Sequence, residues 1–133
     1  LSDGGAHVGV LCDASVPTYM LAYATRDRQK GPQLPLEFVV HKMSQDTAQV
    51  YGFTDRGVIA EGYKADVNII DYDKVRLHDP EMVFDLPSGG KRLIQKADGY
   101  TATICGGVVT YENGVHTGEM PGRLIRGGRI ESV

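Results

Sequence analysis

The chain has 133 residues, 41% hydrophobic and 23% charged, with a formal net charge of −3, which is the balance of one modest globular domain with its own core. That charge offers no basic surface for nucleic acid or an anionic membrane, and no apolar run reaches the length of a membrane span. Two cysteines, Cys12 and Cys105, without a secretory leader read as reduced thiols in a cytoplasmic protein. The first residue is Leu1 rather than methionine, and the chain is therefore expected to be the back end of a longer polypeptide.

Ser2-Asp3-Gly4-Gly5-Ala6-His7 comes first and looks most like an active site. Glycine has no Cβ, so Gly4 and Gly5 let backbone and the Asp3 carboxylate both approach an ion or substrate. The plainer reading is a surface turn, since Asp-Gly is a common turn dipeptide. His7 either lines the mouth of such a site or hydrogen-bonds its loop together, and the residues alone leave both readings open.

Helical sequence follows to about Gly52. Asp13 or Ser15 is placed to cap a helix with Pro17 in its first turn and Met20, Tyr23 and Ala24 on one face, stopped by Gly31-Pro32. Pro35 opens a second helix whose Leu36, Val39, Val40 and Met43 recur at i, i+3, i+4 and i+7 in one apolar stripe. Ser44 is placed to cap a short third helix through Tyr51, and Gly52 to end it in the left-handed conformation.

From Thr54 the pattern changes to turns and short β-runs: Val58-Ile59, Val67 to Ile70, Tyr100 to Ile104 and Val108 to Tyr111, separated by glycine-containing pairs. This predicts a small β-sandwich or open barrel. Asn113-Gly114 is the strongest hairpin signal, because a type I′ turn needs positive φ at both central positions. Leu86 to Arg92 reads as a loop, a solvated connector or a cradle for an anion.

The remaining chemistry-bearing residues support modest readings. His7, His41, His78 and His116 show no metal-binding spacing, so a complete metal site within the chain is not expected. His41 falls on the polar side of its helix. Cys12 has no cationic neighbour in sequence to activate it. Arg123, Arg126 and Arg129 form a basic tail, solvated or docking.

Three stretches together resemble the C-terminal end of the metal-dependent amidohydrolase superfamily, in its D-aminoacylase-like (N-acyl-D-amino-acid deacylase) branch. They are Ser2 to His7, Thr54 to Ile59 with Gly62 to Asp71, and Gly107 to Thr110 through Gly118 to Arg123. The resemblance implies an α/β parent fold, a TIM (β/α)8 barrel followed by a β-sandwich. Residues 1–53 would be the last helical part of the barrel, and residues 54–133 the β-sandwich domain.

By the same resemblance Asp3 stands just past the eighth barrel strand, where barrel enzymes keep their chemistry. It is expected to be catalytic and to touch the metal, with Gly4, Gly5 and His7 on the substrate side. A zinc-bound water must lose a proton to attack an amide carbon, and the leaving nitrogen must gain one; a single aspartate can serve both needs. The other ligands of one or two zinc ions are expected upstream of Leu1. Where the D-aminoacylase pattern has a His-Pro-Arg element that holds the substrate carboxylate, this chain has Cys12-Asp13-Ala14-Ser15. The usual grip on an N-acyl-D-amino acid is thus missing, and the substrate the resemblance implies is an N-acyl-D-amino acid or a related small amide. The expected partners are a missing N-terminal barrel segment or a second copy of the chain, as a homo-oligomer. The rival reading is a self-contained, non-catalytic β-rich binding or oligomerisation module in which Asp3-Gly4-Gly5 is only a turn.

Overall fold

A computed structural model describes residues 12–125. They form two compact units, each drawn from two stretches of chain: residues 12–34 with 71–99, and residues 35–70 with 100–125. Both units contain helix and strand, so the fold is mixed. The change of sequence character near Thr54 lies inside the second unit.

In the first unit, a 3-10 turn (Asp13–Ser15) leads into α1 (Val16–Tyr19), which continues as π-helix over Met20–Asp27. Pro17 sits in the first turn, where its missing N–H costs nothing. Neither Asp13 nor Ser15 caps: the Ser15 hydroxyl bonds Cys12 O and Gln95 instead. The buried face is Thr18, Leu21, Ala22, Ala24 and Thr25: of the expected Met20, Tyr23 and Ala24, only Ala24 is buried. Thr25 can be buried because its hydroxyl donates to Leu21 O, one turn back, and meets the Tyr72 hydroxyl at 2.6 Å. The helical run ends at Asp27, ahead of Gly31-Pro32, where Arg28 turns extended and Gln33 Nε2 reaches the Arg26 and Arg28 carbonyls.

Arg26 fastens this helix to the following stretch. Its guanidinium donates to Tyr72 O and, at 2.6 Å, to Val75 O, and lies 5.4 Å from the Tyr72 ring centroid. Val75 is fully buried. Beyond it, β2 (Arg76–Leu77), β3 (Glu81–Leu86), β4 (Gly90–Ile94) and β5 (Ala97–Asp98) make one two-ladder ribbon, β2 with β5 and β3 with β4, both antiparallel. The segment expected to be a loop from Leu86 to Arg92 is the tip of this ribbon, turned by Pro87–Gly89 with Ser88 at φ 60°. Arg92 is paired across it with Asp85 at 2.6 and 2.8 Å, which leaves no free anion cradle in its guanidinium.

The second unit opens with α2 (Leu36–His41), continues as π-helix over Lys42–Asp46 and ends as α3 (Thr47–Val50), one unbroken run where two helices were expected. Ser44 does not cap, because its hydroxyl donates back to Val40 O at 2.6 Å within the run. Gly52 ends the run as expected, at φ +70°: Gly52 N bonds Gln49 O and Phe53 N bonds Ala48 O, the two bonds of a Schellman motif.

A four-stranded antiparallel sheet completes this unit in the order β1 (Val67–Ile70), β6 (Tyr100–Cys105), β7 (Val108–Glu112) and β8 (Val115–His116). Asn113 and Gly114 both have positive φ between β7 and β8, the predicted type I′ turn. Val58-Ile59 forms no strand; Ile59 is 88% exposed in the connection.

Little apolar side chain is buried. Among the described residues the buried hydrophobics are Leu21, Ala22, Ala24, Val39, Ala48 and Val75, half of them alanines. Of the two expected stripes, Ala24 and Val39 are buried and Met20, Leu36 and Met43 half-buried, while Tyr23 is 40% and Val40 45% exposed. No helix among the described residues is long and apolar enough to cross a membrane.

One glycine carries a sharp test. At Gly99, φ is +94° and an added Cβ would fall 2.7 Å from both N and Cα of the buried Val75. Gly99→Ala combines backbone strain with a clash against backbone that cannot swing away, and should cost roughly 2–4 kcal/mol. Gly114→Ala, at φ +79° but in open space, should cost only about 1 kcal/mol. Urea unfolding of the two variants gives the comparison, and equal losses would contradict this packing.

Candidate functional site

Asp3, Gly4, Gly5 and His7, the expected catalytic, metal and substrate residues, lie outside the described residues. The most concentrated chemistry among the described ones is the charged cluster in the second unit, where the chain passes from helix to sheet.

The cluster is built on the Schellman end of the helical run. Phe53 follows Gly52, and the Arg56 guanidinium stacks 5.1 Å from its ring centroid. Gly57, at φ +88°, brings the backbone so near the helix that an added Cβ would lie 2.8 Å from Ala48 Cβ and 3.0 Å from Ser44 O. With the chain held there, Arg56 bonds Asp55 through Nε at 3.0 Å and Asp66 through Nη1 at 3.2 Å. Lys64 joins from the other end of the connection: its Nζ lies 3.1 Å from Asp55 Oδ2 and its backbone N donates to Asp55 O at 2.8 Å. Asp66 Oδ1 accepts the Gly106 amide at 2.8 Å, and Gly107 N donates to Ala65 O, which ties the β6–β7 turn to the same point.

Two carboxylates face two cations here, so the cluster is neutral and its strong donors are spent on internal partners. Hydrogen bonds from Arg56 and then Lys64 pull the Asp55 carboxyl down from 3.8 to about 2. An open cleft of about 230 Å³ beside it is lined by Met43, Tyr51, Phe53, Arg56 and Asp66 among others. The arrangement holds chain segments together, its carboxylates and cations bonded to one another, with the Cys105 thiol within electrostatic reach of Arg56.

The other candidates stay apart. His41 is exposed, 3.1 Å from Asp46, which Lys42 also pairs at 2.6 Å. His116 stacks edge-on against Tyr111, and His78 pairs with Asp98. Cys12 and Cys105 are free thiols. Among the described residues no three His, Cys, Asp or Glu side chains are grouped to hold a metal ion. The sequence reading passed over Asp55, Arg56, Lys64 and Asp66 as individual residues, although alternating charges around Gly57 and Gly62 were the available sign of a pinned connection.

Mixed helix and strand meet in a charge-pinned passage from one to the other. The family model described as "Amidohydrolase family" matches residues 1–111, and the chain belongs to the amidohydrolase family. No curated protein and no solved structure matches it.

The cluster has a pH signature. The folded value of Asp55 lies below its ordinary 3.8, so the stability it contributes is present in full above about pH 4 and lost as the pH falls toward 2. A carboxyl carbon titration of Asp55 should show a midpoint near 2, moved upward by Arg56→Met; a midpoint at 3.8 in the unaltered chain would contradict the cluster.

Proposed function

We propose that the chain is the C-terminal portion of a metal-dependent amidohydrolase that cleaves the C–N bond of a small amide, an N-acyl-D-amino acid or a related compound. On this reading residues 1–53 close a (β/α)8 barrel and residues 54–133 form its β-sandwich domain. The observation that carries it is the family match, which begins at the Asp3 segment and runs through the pinned connection from Thr54 to Asp71. The uncovered Tyr23 and Val40, on helices that read as barrel helices, favour it over a self-contained module.

Amidohydrolases typically bind metal ions, and zinc is the metal this reading assigns. The described residues do not fit one, since no three ligand-type side chains converge, and the remaining ligands are assigned upstream. What this chain contributes is Asp3. Its carboxylate is assigned to take the proton from the attacking water and return it to the leaving nitrogen, and Gly4, Gly5 and His7 are assigned to the substrate side. The free thiols of Cys12 and Cys105 accord with a cytoplasmic setting.

Two measurements test this. In the whole polypeptide, Asp3→Asn should lower kcat by about a hundredfold or more with KM little changed; near-normal kcat would remove Asp3 from the chemistry. Sedimentation of residues 1–133 alone should show concentration-dependent self-association through the uncovered apolar side chains. A monomer at every concentration would count against the homo-oligomer and against those faces needing a partner.

A further inference from the structure

The sequence has two asparagines, and they stand in opposite surroundings. Asn113 precedes Gly114 in the turn between β7 and β8, where residues 111–120 are all exposed. Its carboxamide has no hydrogen-bond partner among the described residues. Glycine carries no Cβ to shield its backbone nitrogen, so Gly114 N can come up against Asn113 Cγ. Asn68 has no such freedom. It lies within β1, its Oδ1 accepts the Thr103 hydroxyl at 2.9 Å, and the next residue is the β-branched Ile69.

The turn itself restrains Asn113. Asn113 and Gly114 sit at φ 49° and 79°, and Asn113 N donates to Thr101 O at 2.9 Å. To bring Gly114 N onto Cγ, the peptide between the two residues must rotate away from this geometry, and the hairpin must open. What resists opening is slight. β8 is two residues long, with Tyr111 opposite His116 and Glu112 opposite Val115. Its far end is fastened by Thr117, whose N donates to Thr110 O at 3.0 Å. The Thr117 hydroxyl is shared between Val109 O at 2.8 Å and Thr110 O at 3.1 Å. An exposed edge strand of this length opens locally at small cost.

We propose that Asn113-Gly114 is a site of spontaneous covalent modification whose rate is set by the opening of β8. In the opened hairpin a base removes the Gly114 amide proton and the nitrogen attacks Asn113 Cγ. The N–Cγ bond forms, the Cγ–Nδ2 bond breaks, and Nδ2 leaves as ammonia with a proton from water, which closes a succinimide ring. Water then opens the ring. Cleavage at Cγ gives aspartate; cleavage at the backbone carbonyl gives isoaspartate, with the chain running through Cβ and Cγ. Either product adds a negative charge beside Glu112. Isoaspartate also adds one backbone carbon to a two-residue turn, so Glu112 loses its register with Val115.

Peptide mapping by mass spectrometry of the whole polypeptide, aged in mildly alkaline buffer, tests this. The peptide holding Asn113 should gain about one dalton, with isoaspartate among its products, while the peptide holding Asn68 should not. Conversion should run within about tenfold of the rate in a free peptide of residues 109–117, because a fraying edge opens at little cost. Thr117→Val, which removes the fastening hydroxyl, should raise the rate about two- to tenfold, the worth of one ordinary hydrogen bond. Thr117→Ser, which keeps the hydroxyl, should leave it unchanged. An Asn113 that keeps its mass after the free peptide has long converted, or equal conversion at Asn68, would overturn the site. The same rate in Thr117→Val as in the unaltered chain would overturn its control by β8.

Discussion

The second unit depends on one arginine. From Phe53 to Asp66 the chain runs without regular secondary structure, and such a connection must find partners for its backbone or cost the unit its order. Its backbone closes on itself, Lys64 N to Asp55 O and Tyr63 N to Ala60 O, and Arg56 pins it by side chains: stacked on Phe53 and bonded to the Asp55 and Asp66 carboxylates, it joins the helix end to the residue that receives the Gly106 amide. Gly57 makes this approach possible, since any larger residue would meet Ala48. Exposed ion pairs contribute little singly, but here three charges share partners with a side chain that is largely covered. The first unit repeats the device with Arg26, whose guanidinium gathers Tyr72 and Val75 onto the helix.

Where local chemistry decides structure, the sequence was easy to read. Pro17 and Pro35 mark helix starts, Gly52 marks a helix end, and Asn113-Gly114 marks a hairpin, each through a backbone constraint that neighbouring residues cannot overrule. Long-range partners were the harder part. Ser15 and Ser44 have the composition of caps, yet one is drawn to Gln95 and the other to the preceding turn. Thr18 and Thr25, which the apolar pattern does not pick out, are both buried, the Thr25 hydroxyl satisfied by Leu21 O and the Tyr72 hydroxyl. The ribbon from Arg76 to Asp98 was missed because Pro80, Pro87 and two glycines interrupt its pattern, while its pairing comes from residues up to twenty-two positions apart.

Legibility of the candidate site follows the same division. Asp3 and its glycines stand out in the sequence through residue type and spacing, and lie outside the described residues. The cluster at Asp55 to Asp66 stands out only in three dimensions, where it proves to be fully self-paired. Among the described residues the most concentrated charges satisfy one another, and the buried apolar set is half alanine. The chemistry of the amidohydrolase family is proposed to lie at the Asp3 segment and the barrel upstream.

The direct test of this account is metal stoichiometry. The whole polypeptide and the isolated stretch of residues 1–133 would each be freed of metal, reloaded with zinc, dialysed and analysed for bound zinc per chain. The account predicts one or two zinc ions on the whole polypeptide and none retained by residues 1–133, because a lone aspartate cannot complete a tetrahedral site. Stoichiometric zinc held by residues 1–133 alone would contradict it.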